Sequence, residues 1–150
     1  MRIKIVFYLI FALFFSNRLF AQNPVINGEK NMTTPIIITT DGITIPATLN
    51  NTVATQDFKK RLPFVVSGHR SSVDYCCTAE SGEYDPEELQ SGWKNGDISL
   101  AGGWFAVLFD GEESSKTYSS MMIIAHIDEE HLDLVKALPA KVTFTVEAVE

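Results

Sequence analysis

Histidine, arginine and tryptophan side chains are the groups in this sequence that could hold a ligand. His69 and Arg70 are adjacent, and an arginine guanidinium can bind a carbonyl or carboxylate oxygen through its fork of N–H donors. Trp104 follows a Gly-Gly pair at the start of an apolar run, where it could lie at the rim of a sheet. We therefore take His69, Arg70 and Trp104 as candidates for ligand binding and predict no catalytic residue. The simpler alternative is a solvated pair at 69–70 and a packed Trp104.

The two cysteines, Cys76 and Cys77, are neighbours in the sequence. Side chains of neighbouring residues in a strand point to opposite faces, and a disulfide between them needs a strained ring. We predict no disulfide, with one thiol buried and the other near the surface. Together with His69, His126 and His131, the cysteines match none of the short spacings of zinc sites. We therefore predict no metal and no other cofactor.

Aromatic residues offer a second kind of binding surface. Trp93, Trp104, Phe105 and Tyr118 could line a groove, because aromatic side chains supply much of the contact area around ligands. Ordinary core packing is the alternative for all four. Asp97 follows a glycine, and we predict that it is a turn residue whose carboxylate accepts a hydrogen bond from its own backbone.

The first 21 residues have the pattern of a secretory signal peptide. Two basic residues precede an apolar run, 5–15, and a small residue, Ala21, precedes the expected cut. The run is shorter than a bilayer-spanning helix, which needs about 20 apolar residues. We predict export to the periplasm or the extracellular space, with no membrane span after cleavage. Retention of the segment as an anchor is the alternative. Residues 22–34 lack periodicity and are predicted to be a flexible tether.

The remaining chain is acidic. The full sequence has 12 basic and 19 acidic residues, and 1–21 contains three of the basic residues and none of the acidic ones. Residues 22–150 therefore have a formal net charge of −10. Because such a surface repels phosphates, we predict no nucleic-acid partner. The length suits one domain with its own core.

Period-two spacing of apolar residues predicts strands over most of the domain. The runs 36–40 and 43–49 are separated by Asp41-Gly42, a strong hairpin signal. Pro46 cannot donate to a sheet ladder, which places it at an edge or a bulge. A helix is predicted from Asn50, with asparagine at its cap, to Leu62 before Pro63.

Later segments continue this pattern. We predict strands at 64–67, around 75–78, and at 96–100, 104–109, 118–127 and 142–148. Residues 68–96 are the least regular part, with one helical turn at 85–89. A second helix is expected to begin at Asp128, with Leu132, Leu134, Val135 and Leu138 facing inward. Many strands with two short helices predict a mainly β domain, a closed or nearly closed barrel.

The segments 45–54, 58–63, 96–97, 105–109 and 125–128 resemble the bacterial cyclophilin-like domain family, and the resemblance spans 36–149. It implies that residues 35–150 form a closed eight-stranded cyclophilin-like β-barrel with two short capping helices. Members of the family are mainly bacterial, are often exported and lack an established activity. The phenylalanine-histidine-arginine and glutamine-glycine-glycine motifs of true prolyl isomerases are missing, so the resemblance does not imply isomerase activity.

From these observations we expect a binding or accessory module that engages a small ligand or an extended peptide at the rim formed by 68–96 and Trp104. A weak or degenerate peptidyl-prolyl isomerase is the enzymatic alternative. A structural partner bound at a barrel edge near Pro46 is the third.

Overall fold

The computed structural model describes residues 33–150, so the predicted signal peptide and all but the last two residues of the predicted tether lie outside it. The domain is built mainly from strands: β1 (Thr34–Thr40), β2 (Ile43–Leu49), β3 (Phe64–Arg70), β4 (Asp74–Thr78), β5 (Asp97–Ala101), β6 (Trp104–Leu108), β7 (Ile123–His126) and β8 (Lys141–Ala148). Two short α-helices are α1 (Val53–Lys59) and α2 (Leu132–Lys136). Short 3-10 helices cover Pro86–Glu88, Glu112–Thr117 and Glu129–His131.

The strands close into an antiparallel barrel in the order β1-β2-β7-β5-β6-β4-β3-β8, with β8 returning to β1. The predicted closed eight-stranded barrel is confirmed. Full closure satisfies the backbone hydrogen-bonding groups that an open sheet would leave at its edges.

The first hairpin forms as its sequence predicts. Asp41 and Gly42 both have positive φ angles, 46° and 78°, as a two-residue turn of this kind requires. Pro46 lies within β2, but β7 pairs with that strand only at Thr48 and Leu49. On the β7 side Pro46 is therefore at a local edge, where its missing N–H costs no ladder hydrogen bond.

Helix α1 is shorter than predicted, and its cap is Thr52 rather than an asparagine. The Thr52 hydroxyl accepts a hydrogen bond from the Thr55 N–H at 3.2 Å. Asn50 supports the cap from two residues before it, because its Oδ1 accepts the Thr52 N–H at 3.1 Å. Asparagine thus contributes to the start of the helix by forming a side-chain turn just before the cap.

The barrel interior contains two clusters of aromatic rings. Near α1, the Phe58 ring meets those of Phe64 and Phe105, with centroids 5.1 and 6.1 Å away. At the opposite end, beside α2, the Tyr75 ring packs on Phe109 and Phe144. Helix α1 thus closes one end of the barrel with a fully buried phenylalanine. At the other end α2 contributes Leu132 and Val135, and Leu138 follows just after the helix.

Three sequence predictions need correction. β3 continues through Gly68 to Arg70, since a glycine there allows close pairing with β4, where any Cβ would overlap the Cys76 carbonyl oxygen. The strand predicted at 118–127 is limited to β7, because Ser120 has a φ of 65° and leaves the ladder. Leu134 is 41% exposed, since the buried positions of the α2 region recur at 132, 135 and 138.

Candidate functional site

A groove lies on the outer surface of the barrel, above β4, β6 and β5. Its floor has a central cross-strand row of small residues, Cys76, Ala106 and Ser99. Leu108 and Trp104, two residues to either side on β6, are large. Because alternate residues of a strand face the same side, the small central row leaves a depression between them. We call this depression the Trp104 groove; its volume is about 460 Å³.

The groove has an aromatic wall. Trp104 is 48% exposed and Tyr118 is 58% exposed, although both are large and apolar. Tyr118 packs on the buried Trp93 ring with centroids 5.2 Å apart. Trp93 in turn donates its indole N–H to the Asp110 carbonyl at 2.9 Å. This hydrogen bond ties the aromatic wall to the loop that follows β6.

The opposite wall is polar and is built around Asp74. The Ser71 hydroxyl donates to Asp74 Oδ1, and the Cys76 thiol donates to Oδ2 at 3.1 Å. Burial raises the pKa of Cys76 to about 12, with the Asp74 hydrogen bond and charge acting in the same direction. The thiol is therefore protonated at neutral pH, with its one hydrogen donated to Asp74, and it does not act as a nucleophile.

The second cysteine faces inward, as alternation along β4 predicts. Cys77 is fully buried, and burial, followed by the Asp74 charge, raises its pKa to about 11. Both cysteines are free thiols. The prediction of one buried thiol and one thiol nearer the surface is confirmed, and the absence of a disulfide stays a prediction.

The three predicted ligand-binding residues lie in different places. Trp104 lines the groove. His69 is exposed in a shallow depression beside Lys141, its cross-strand partner on β8. Arg70 packs its guanidinium over the Phe109 ring at 4.6 Å and donates Nη1 to the Lys136 carbonyl at 2.6 Å. The structure therefore brings neither His69 nor Arg70 into the groove with Trp104.

A histidine–aspartate pair at the α2 end was not recognised in the sequence. His126 Nδ1 lies 2.8 Å from Asp97 Oδ1, and Asp97 Oδ2 accepts the Lys94 N–H at 2.8 Å. Asp97 thus closes the turn before β5, but its carboxylate accepts from the Lys94 backbone and not, as predicted, from its own. The contact between His126 and Asp97 has no signal in a single sequence, because the two residues are 29 positions apart and meet only through the β5–β7 register.

Residues 33–150 have no group of three or more histidine, cysteine, aspartate or glutamate side chains arranged to hold a metal ion. Within the same residues, no helix combines the length and the apolar character needed to cross a bilayer.

A closed eight-stranded barrel of this topology, capped at both ends, is the architecture expected of a cyclophilin-like domain. The sequence profile of the Cyclophilin-like family matches residues 38–147, so the chain belongs to that family, and the predicted family resemblance is confirmed.

The solution structure of the hypothetical protein AF2241 from Archaeoglobus fulgidus is similar to this chain, with a TM-score of 0.63 and 14% sequence identity. The alignment covers 81% of this chain and 99% of that one, and at this identity it shows the fold alone. A search of curated proteins gave no match.

Proposed function

We propose that this cyclophilin-like domain is a non-enzymatic binding module that holds an extended, largely apolar peptide segment in the Trp104 groove. The observation that carries the proposal is the exposure of Trp104 and Tyr118 around a floor of small side chains. Exposed aromatic residues beside a concave apolar surface are typical of recognition sites.

The shape of the surface favours an extended peptide over a compact ligand. A second cavity of about 410 Å³, bounded by Tyr84 and Leu89, shares Ala101, Gly102 and Ser120 with the groove. The two cavities thus join into one elongated cleft across the β5–β6 turn. An extended peptide places alternate side chains on one face, so it can fill both cavities at once.

The polar wall supplies orientation. Asp74 accepts hydrogen bonds from Ser71 and Cys76 and is half-buried, so its carboxylate is fixed beside the apolar floor. A peptide N–H directed at this wall would find an ionised acceptor, and charge-assisted hydrogen bonds are stronger than neutral ones. A few placed polar groups in an apolar site are what fix the orientation of a ligand.

The enzymatic alternative is a weak peptidyl-prolyl isomerase. In the isomerases that the fold resembles, an arginine acts on the substrate. His69-Arg70 is the part of this sequence most similar to the motif that contains that arginine, so Arg70 is the candidate. Its guanidinium is committed to the Lys136 carbonyl and the Phe109 ring. A proline-peptide isomerisation assay decides between the two functions: acceleration by the wild-type protein that Arg70→Ala abolishes would favour the enzyme.

We also propose that the module acts outside the cytoplasm. The support is the signal-peptide pattern of residues 1–21, which lie outside the described part of the chain. Two unpaired thiols are compatible with an oxidising compartment here, because one is fully buried and the other stays protonated.

The binding proposal is tested by intrinsic fluorescence. The chain has two tryptophans, and Trp93 is buried, so a ligand in the groove changes the emission of Trp104 first. The probe is a blocked tetrapeptide with leucine at alternate positions. We expect a saturable blue shift that Ala106→Leu, which fills the groove floor and keeps Trp104, removes and that Val65→Ala, an exposed apolar control on β3, preserves. A flat titration of the wild-type protein would reject the proposal.

A further inference from the structure

The histidine–aspartate pair at the α2 end, remote from the Trp104 groove, has the construction of a ligand site. Asp97 is the first residue of β5 and His126 the last of β7, and they are cross-strand partners. Asp97 is only 6% exposed, and both of its oxygens accept hydrogen bonds. Because a carboxylate oxygen accepts, Nδ1 is the donor in this contact, and within residues 33–150 the other ring nitrogen, Nε2, has no hydrogen-bond partner.

The imidazole ring is held in place by the backbone beneath it. Gly96 has a φ of 105°, and a Cβ at this position would overlap the Ile127 carbonyl oxygen and lie 3.1 Å from His126 Cε1. Only glycine allows β5 to begin so close to the ring. His126 is thus positioned by a carboxylate on one side and a glycine on the other, as preorganised sites require.

In front of His126 is a cavity of about 470 Å³ whose remaining walls contain unpaired charges of both signs. Lys94 and Lys136 contribute ammonium groups, and Glu129 and Asp133 contribute carboxylates. None of these four side chains forms a salt bridge within residues 33–150. The Glu112 carboxylate, which also lines the cavity, accepts the Asn95 N–H at 2.9 Å.

We propose that this cavity binds a small zwitterion of the amino-acid type. The ammonium group of the ligand is directed to the carboxylates of Glu129 and Asp133, beside the His126 ring. The carboxylate of the ligand is directed to Lys94 and Lys136. A ligand with both charges satisfies both unpaired sets, whereas an ion of one sign leaves the other set opposed to it. The volume accommodates an amino acid with its side chain.

The direct test is a nuclear magnetic resonance titration of the full-length protein, followed at its three histidine rings. The probe is glycine, and methylammonium and acetate each supply one of its two charges. We expect glycine to shift the His126 ring signals saturably while those of His69 and His131 stay in place. Each single-charge ion should bind at least about tenfold more weakly, the equivalent of one lost charge-assisted contact.

Surface variants provide the second arm, since their side chains are exposed and their removal leaves the barrel intact. The double substitution Lys94→Ala with Lys136→Ala should weaken glycine binding by at least about tenfold, as should Glu129→Gln with Asp133→Asn. The matched controls are Lys141→Ala and Glu147→Gln on β8, which lie outside the cavity. The proposal is overturned if glycine leaves His126 unmoved, shifts all three histidines alike, or binds no better than methylammonium or acetate.

Discussion

Cys76 and Ala106 lie opposite each other across the β4–β6 ladder, and Ser99 lies opposite Ala106 on the far side. No residue in this row is larger than a cysteine. Trp104 and Leu108 flank the row, so the depth of the Trp104 groove depends on the small size of three side chains. This relationship connects the strand register directly to the proposed binding surface.

Filling the central row should abolish peptide binding. Ala106→Leu adds three carbon atoms to the middle of the groove, and we expect the affinity for the leucine tetrapeptide to fall by at least about tenfold, the loss of one apolar contact set. Overpacking against Trp93 and Leu108 should cost about 1–3 kcal/mol of stability. Thermal unfolding verifies that the variant is folded. Unchanged affinity in a folded Ala106→Leu protein would place the peptide elsewhere.

The Cys76 thiol should react unusually slowly. With a pKa raised to about 12, about one thiol in ten thousand is ionised at pH 8, so alkylation by iodoacetamide should lag far behind that of a free cysteine. Because the pKa is raised, the rate should keep climbing with pH well beyond 9. Asp74→Asn removes a charge that disfavours the thiolate and should accelerate the reaction. Mass spectrometry of timed samples measures both rates; a plateau near pH 9 would contradict the shifted pKa.

Arg70 and His69 provide a matched pair of neighbouring residues with different expected outcomes. Arg70→Ala removes the contact with the Phe109 ring and the hydrogen bond to the Lys136 carbonyl, and should lower the free energy of unfolding by about 2 kcal/mol. His69→Ala changes an exposed side chain and should stay within about 0.5 kcal/mol of the wild type. Urea denaturation compares the two. Equal stabilities would show that the guanidinium contributes little to the packing of this end of the barrel.

Substitutions at two glycines with positive φ distinguish the cost of steric overlap from the cost of backbone strain. Gly96→Ala meets both, since its Cβ would overlap the Ile127 carbonyl oxygen, and should cost about 3 kcal/mol or more. Gly102→Ala meets strain alone, because nothing lies within 4 Å of its Cβ, and should cost about 1 kcal/mol. Thermal unfolding ranks the two variants, and a reversed ranking would contradict the tight packing described at the β5 start.

Export and cleavage predict a defined new N-terminus. The protein recovered from outside the cytoplasm should begin at Gln22, since the small residue Ala21 precedes it. N-terminal sequencing or intact mass reads this directly. Material that retains Met1 and stays with the membrane fraction would instead favour the anchor interpretation.

Local sequence signals predicted much of the fold. The Asp41-Gly42 turn, the alternation in β8 and the inward Cys77 follow from short-range backbone chemistry, which a single sequence contains. The segment 68–96 was predicted less well, because Gly68, His69 and Arg70 have no apolar period. Gly68 and His69 nevertheless pair with both β4 and β8, and Arg70 pairs with β4. Their strand conformation comes from their neighbours β4 and β8, not from their own residue types.

The candidate site was less predictable than the fold. Trp104 was recognised from its position after two glycines, but the small floor of the groove depends on how β4, β6 and β5 align. The same is true of Asp97 and His126, whose contact exists only through the β5–β7 register. Cross-strand register joins residues that are distant in the chain, and the spacing of residues along one sequence does not encode it.

The most direct test of peptide binding in the Trp104 groove is a set of intermolecular nuclear Overhauser effects with the leucine tetrapeptide. We predict contacts from the leucine methyl groups to the Trp104 and Tyr118 rings and to the Ala106 methyl group, with a second set at Tyr84. Contacts confined to another face of the barrel, or none at saturating peptide, would contradict the account.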